Sequence, residues 1–185
     1  MSSNDSEPTR RLFFALWPTG EVRDAIDHFS RRAIRKRARR IPACNLHITL
    51  AFAGSVTASV QACLEAGAAD IRVAPFELKI DTVGYWPRPG IIWAGPRQSP
   101  RPAWGLVKSL RELFLACDLQ PEARAWQPHV TLARKAGQGL EAGAMGPVDW
   151  SISDFCLVES VTEESGASYR ILRRWPLVGQ AGSMG

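Results

Sequence analysis

Apolar residues fall in short blocks along this chain, and the spacing within each block switches between strand and helix periods. Residues Arg11 to Trp17 form a continuous apolar and aromatic run stopped by Pro18, which predicts a buried strand. Thr19 is then predicted to cap a helix with Val22, Ile26, Phe29 and Ala33 on one face. A second strand is predicted from Leu46 to Ala53, ending at Gly54, and Thr57 opens a helical pattern through Val60, Leu64 and Ile71.

Phe76, Leu78 and Ile80 alternate with polar residues, Trp86-Pro87-Arg88-Pro89-Gly90 turns the chain, and Ile91 to Ala94 returns as a hairpin partner. Trp104 to Cys117 carries Val107, Leu110, Phe114 and Cys117 on one helical face. A strand from Pro128 to Ala133, a Gly-rich connection from Gly137 to Gly146, and strands at Ile152–Val158 and Tyr169–Leu172 complete the pattern. Residues 1–10 and 179–185 are polar or Gly-rich and are expected to be flexible tails. No Pro-, Ser- or charge-rich linker divides the remainder, so 11–178 is expected to be one α+β domain of two lobes.

The pattern contains one internal echo. Asn45-Leu46-His47-Ile48-Thr49-Leu50-Ala51-Phe52 is matched by Gln127-Pro128-His129-Val130-Thr131-Leu132-Ala133-Arg134, and two of the three histidines of the chain sit in it. In a strand, side chains at i and i+2 share a face. His47 with Thr49, and His129 with Thr131, therefore point one way while Ile48, Leu50, Val130 and Leu132 anchor the other. Two such strands side by side would frame a cleft with two imidazoles and two hydroxyls.

That set suits phosphodiester chemistry. An imidazole titrates near neutral pH, so one of a pair can act as general base and the other as general acid. The hydroxyls can donate to non-bridging phosphoryl oxygens. A single His-x-Thr would more often be a packed or surface histidine; its repetition argues otherwise. A zinc site is the weaker reading, because no third His, Cys or clustered carboxylate accompanies the pair, and no metal or cofactor is expected. His28 lacks a Thr two places on and reads as a surface histidine.

Composition narrows the partner. With a formal charge of +5 and 45% hydrophobic residues, the chain is a folded protein suited to an anionic ligand. The densest basic run, Arg31 to Arg40, reads either as a solvated helix end or as a guide for an RNA backbone. Phe13, Trp17 and Trp126 lie on or beside the strands expected to border the cleft, and Phe13 is the candidate for stacking on a base; Trp93, Trp104 and Trp150 are assigned to packing. Cys44, Cys63, Cys117 and Cys156 are widely spaced and are expected to be buried free thiols. Neither a membrane span nor a signal sequence is read, and a cytoplasmic monomer is expected.

The motif pair, together with Arg11 to Pro18, the Trp86 to Gly90 turn with Ile92-Trp93, and Leu157-Val158-Glu159-Ser160 with Gly166 and Tyr169, resembles the 2H phosphoesterases. Within them the chain is similar to the LigT-like RNA 2′,3′-cyclic phosphodiesterases, also described as 2′-5′ RNA ligases. The resemblance implies a bilobal fold of two pseudo-twofold-related lobes, with antiparallel sheets lining a central cleft and helices outside. It implies opening of RNA or nucleotide 2′,3′-cyclic phosphate ends to 2′-phosphomonoesters, with His47 as proton donor, His129 as acceptor and Thr49 and Thr131 on the phosphate. Reversible 2′-5′ ligation is chemically open to the same site.

The resemblance also assigns Arg134 to the phosphate. Strict alternation sets Arg134, five residues after His129, on the wrong face, so that role requires a bend or the end of the strand. A non-catalytic module that binds RNA ends is the alternative from a different class.

Overall fold

The computed structural model describes residues 7–34, 38–137, 145–163 and 166–179, with the side chains of residues 163 and 166 excepted. The expected tails lie mostly outside these residues, as do most of the Gly137 to Gly146 connection and the centre of the basic run.

Ten strands and three α-helices alternate among the described residues: β1 (Arg10–Leu16), α1 (Gly20–Ala33), β2 (Arg39–Arg40), β3 (Ile48–Val56), α2 (Ala58–Ala68), β4 (Phe76–Ile80), β5 (Thr82–Trp86), β6 (Ile91–Gly95), α3 (Arg101–Ala116), β7 (Val130–Arg134), β8 (Val148–Ile152), β9 (Asp154–Glu163) and β10 (Gly166–Pro176). A 3-10 turn at Ala43–Asn45 leads into β3. Seven strands run in the order β10-β9-β1-β3-β7-β6-β5, β2 adds to β7, and β4 pairs with β8 in a separate ribbon. Every pairing is antiparallel.

The order β1-α1-β3 recurs as β6-α3-β7, and the two repeats meet at the centre of the sheet, where β3 lies beside β7. Each repeat also receives a strand from the other half: β9 adds to β1, and β5 adds to β6. The two lobes are thus halves of one antiparallel sheet. One large core cluster fills the helix-covered face, with Leu12, Phe14, Ile48, Leu106, Leu110 and Phe114 at its heart. A smaller cluster of Phe13, Ala15, Cys156 and Val158 underlies the opposite, cleft-bearing face.

Several elements differ from the sequence expectation. Thr19 occupies the N-cap position of α1 without a side-chain hydrogen bond, whereas Thr57 accepts from the Val60 amide at 3.5 Å and caps α2. Ile71 lies beyond α2, and β3 runs on through Gly54, whose φ of 77° only glycine adopts readily. The hairpin partner of β6 is β5; the alternating β4 pairs instead with β8, far along the chain. The last two expected strands are three.

The cysteines are corrected as well. Cys63 on α2 and Cys117 at the end of α3 form a disulfide with Cα atoms 5.9 Å apart, because the two helices pack together. Cys44 is free and exposed, and Cys156 is free and buried, its pKa pushed up to about 12 by burial. Trp104, expected in the core, is 46% exposed and meets Trp126 edge-on. No described helix is long and apolar enough to cross a membrane.

Candidate functional site

The two histidine strands touch at one paired position, Ile48 opposite Val130. Both side chains are fully buried on the core face, which turns their neighbours to the other face. Carried one residue either way, this antiparallel register sets His47 opposite Thr131 and Thr49 opposite His129. The imidazole of each motif therefore faces the hydroxyl of the other, and all four side chains line one cavity of about 470 Å³.

Both rings are held in the same way. Nδ1 of His47 lies 2.7 Å from the Asn45 carbonyl oxygen, and Nδ1 of His129 lies 2.7 Å from that of Gln127. A carbonyl only accepts, so Nδ1 carries the hydrogen in each ring and Nε2 is left as the group that can take or give a proton. The Asn45 side chain also donates to the Ala167 carbonyl at 3.2 Å, tying the entry of the first motif to β10. The Trp126 indole donates to the Thr49 carbonyl at 2.9 Å, so this buried tryptophan braces β3.

The surroundings of the two rings differ. His47 is walled by aromatics: Trp17 stacks on it at 5.1 Å, with Phe13 and Tyr169 each at 5.0 Å. His129 meets the edge of Trp86 at 4.6 Å. In the repeated geometry, Gly95 of β6 corresponds to Trp17. A Cβ there would stand 2.6 Å from the Pro128 carbonyl oxygen, so glycine is what lets β6 approach the entry to His129.

Burial lowers the pKa of His47 to about 4, opposed by the hydrogen bond to Asn45 and reinforced by the positive potential of His129 and Arg134. Burial also lowers that of His129, against the bond to Gln127 and with Arg134 and Arg124 acting in the same direction. Both imidazoles are thus held towards the neutral form.

Arg134 lines the cavity despite its strand parity. Ile92 pairs with Ala133 and Trp93 with Thr131, leaving Leu132 as an extra residue on β7. This bulge buries both Leu132 and Ala133 and returns Arg134 to the face of Thr131. The first motif repeats the device: Phe14 pairs with Ala51 and Ala15 with Thr49, Leu50 is the extra residue, and Phe52 returns to the cleft. Phe52 and Arg134 consequently occupy equivalent places, three residues after each threonine.

Phe13 also reaches the cavity, but with 3% of its surface exposed; its ring supports His47 and Tyr169 instead of offering a free face to a base. His28 is exposed on α1. From the basic run, Arg31 pairs with Asp27 at 2.6 Å, and Arg39 lies opposite Arg134 where β2 joins β7. Cavity residues that were not among the expected site residues include Arg11, Asn45, Phe52, Ser160, Thr162 and Tyr169. Alternation from Phe13 would have found Arg11, whereas Phe52 depends on a bulge with no local signature. Among the described residues, no three His, Cys, Asp or Glu side chains gather into a metal-ligating cluster.

The chain as a whole is similar to known proteins. The RNA 2′,3′-cyclic phosphodiesterase of Escherichia coli is 35% identical over 93% of this chain and 98% of its own length. The crystal structure of E. coli LigT in apo form superposes with a TM-score of 0.86 at 32% identity, covering 93% of this chain and 99% of that one. LigT complexed with 3′-AMP matches at a TM-score of 0.85 and 33% identity, over 91% of this chain and 98% of that one. The expected bilobal LigT-like fold is therefore the observed one. A family model for the 2′-5′ RNA ligase superfamily matches residues 18–163, and the chain belongs to that superfamily.

Proposed function

We propose that this protein is an RNA 2′,3′-cyclic phosphodiesterase that opens terminal cyclic phosphates to 2′-phosphomonoesters by two-histidine general acid–base catalysis. The observation that carries the proposal is the pairing of Ile48 with Val130, which sets two identically tethered imidazoles and two hydroxyls around one cavity.

In this scheme Nε2 of His129 takes a proton from water as the water oxygen bonds to phosphorus. The bond from phosphorus to the 3′ oxygen breaks, and Nε2 of His47 gives that oxygen its proton. Thr49 and Thr131 donate to the non-bridging oxygens, and Arg134 offsets the charge that gathers there. Phe13 acts from beneath by fixing the His47 ring. The donor and acceptor labels follow the family resemblance. Burial favours the neutral form of both rings, and a phosphodiester anion beside them favours the imidazolium that the acid role needs.

With a 5′-hydroxyl in place of water as the nucleophile, the same proton transfers would join RNA ends through a 2′-5′ bond. RNA ends as substrate agree with a cytoplasmic site of action, and one chain supplies the whole site as a monomer would. The proposal is tested by end-group analysis of the product from an oligonucleotide with a 2′,3′-cyclic phosphate, in excess EDTA. A 2′-phosphate is the expected product. A 3′-phosphate would reverse which oxygen leaves, loss of activity with chelator would contradict a metal-free scheme, and binding without product would favour an RNA-end-binding module.

A further inference from the structure

We infer that Arg11 forms a second anion subsite in the cleft, which takes the phosphate on the 5′ side of the reacting nucleotide; this rests on the cyclic phosphodiesterase reading above. The strand period separates the adjacent arginines of β1. Arg10 makes an ion pair with Glu159 at 3.5 Å, and Glu159 also holds Arg170 at 2.6 Å. Arg11 shares the face of Phe13 and lines the cavity, and among the described residues no carboxylate pairs with it. The fourteen residues lining that cavity include two arginines and no Asp or Glu. A polar pocket with two cations and no counter-charge is built for a ligand with more than one negative group.

The position of Arg11 specifies which group. Its guanidinium lies 4.7 Å from the centroid of the Phe52 ring, a cation–π contact that orients it and leaves N–H donors for another partner. Phe52 holds, in the first motif, the place that Arg134 holds in the second. The two guanidinium groups therefore flank the two threonines from opposite sides, one borne on the motif itself and one delivered by β1.

Arg11 is four residues from Ala15, the partner of Thr49, or about 13 Å along the strand. Successive phosphates of one RNA strand lie closer than that, and the Arg11 guanidinium narrows the gap by leaning over Phe52, toward Thr49 from Ser55, the backbone partner of Arg11. The pairing of Leu12 with Glu159, carried one residue on, sets Ser160 beside Arg11, and Tyr169 pairs with Ser160 in turn. Both line the cavity and can add hydroxyl donors to the same phosphate.

The test compares kcat/KM for three substrates: adenosine 2′,3′-cyclic phosphate, the same compound with a 5′-phosphate, and a dinucleotide ending in the cyclic phosphate. The wild type is expected to favour the second and third by tenfold or more, with the preference shrinking as salt rises. In R11Q both ratios are expected to fall to within about threefold of unity, and in R11K to lie between; this range follows from loss of one charge-assisted contact. Preference for the dinucleotide alone would assign the subsite to an internal phosphodiester, and preference for both to a phosphate of either kind.

Equal wild-type rates on all three, or ratios unchanged in R11Q with its Tm intact, would overturn the subsite. If no cyclic end is opened at all, the proposed activity fails separately. Calorimetric binding of adenosine 3′,5′-bisphosphate against 3′-AMP then decides the subsite: tighter bisphosphate binding lost in R11Q supports it, and equal affinities reject it.

Discussion

Ile48 pairs with Val130 at the one position where the two histidine strands are in register, and both side chains are fully buried. This pair works as a pin: the residues on either side of it are the histidines and threonines of the cleft. Ile48→Ala is expected to cost about 2–5 kcal/mol of stability, the usual range for emptying a well-packed site. It is also expected to lower kcat by loosening the register between the motifs. Urea unfolding and steady-state kinetics check both, and an unchanged midpoint with unchanged kcat would show that the pairing does not align the site.

The activity should carry the imprint of the two depressed imidazoles. The productive form has one ring protonated and the other neutral. The pKa of His47 is lowered to about 4 and that of His129 lies below its ordinary value, so both limbs of the kcat/KM bell are expected below pH 6.5. Bound phosphodiester favours the imidazolium, so the alkaline limb of kcat should lie at higher pH than that of kcat/KM. A kcat/KM profile flat from pH 6 to 8 would contradict this.

Stability should respond to the same burial. The His47 pKa is depressed on folding, so the unfolded chain binds more protons as pH falls below 6.5. The folded state is then progressively destabilised until pH passes below about 4, by on the order of 2–3 kcal/mol before solvent at the open side of the cleft is allowed for. H47Q removes that titration, and its unfolding free energy is expected to fall less steeply between pH 6.5 and 4. Equal slopes for variant and wild type would count against a desolvated His47.

Gly95 offers a change that touches no substrate. A Cβ there would meet the Pro128 carbonyl, which adjoins His129, so Gly95→Ala must push the second motif away from β6. A loss in kcat of about tenfold or more, with a smaller change in KM, is expected from such misplacement. Wild-type kcat in G95A would mean that the approach of β6 does not set the position of His129.

Local periodicity revealed much of this molecule. The runs that became β1, β4 and α3, and the shared face of each His and Thr, follow from residues that repeat at fixed spacing and bury one side. What stayed hidden is nonlocal or irregular. The extra residues Leu50 and Leu132 are ordinary strand leucines, and nothing nearby marks them as bulges, yet they bring Phe52 and Arg134 to the cleft. β5 is half-buried along its whole length, so it lacks alternation, and the pairing of β4 with β8 joins segments some seventy residues apart. The bond between Cys63 and Cys117 likewise depends on how α2 meets α3.

The most direct test of the two-histidine cleft is kcat/KM on an RNA 2′,3′-cyclic phosphate end for the wild type, H47A and H129A, with folding checked by thermal unfolding. Each substitution is expected to cost roughly a hundred- to ten-thousand-fold, the usual range for one acid–base partner. Wild-type turnover in either variant, with the fold intact, would contradict the paired roles of His47 and His129.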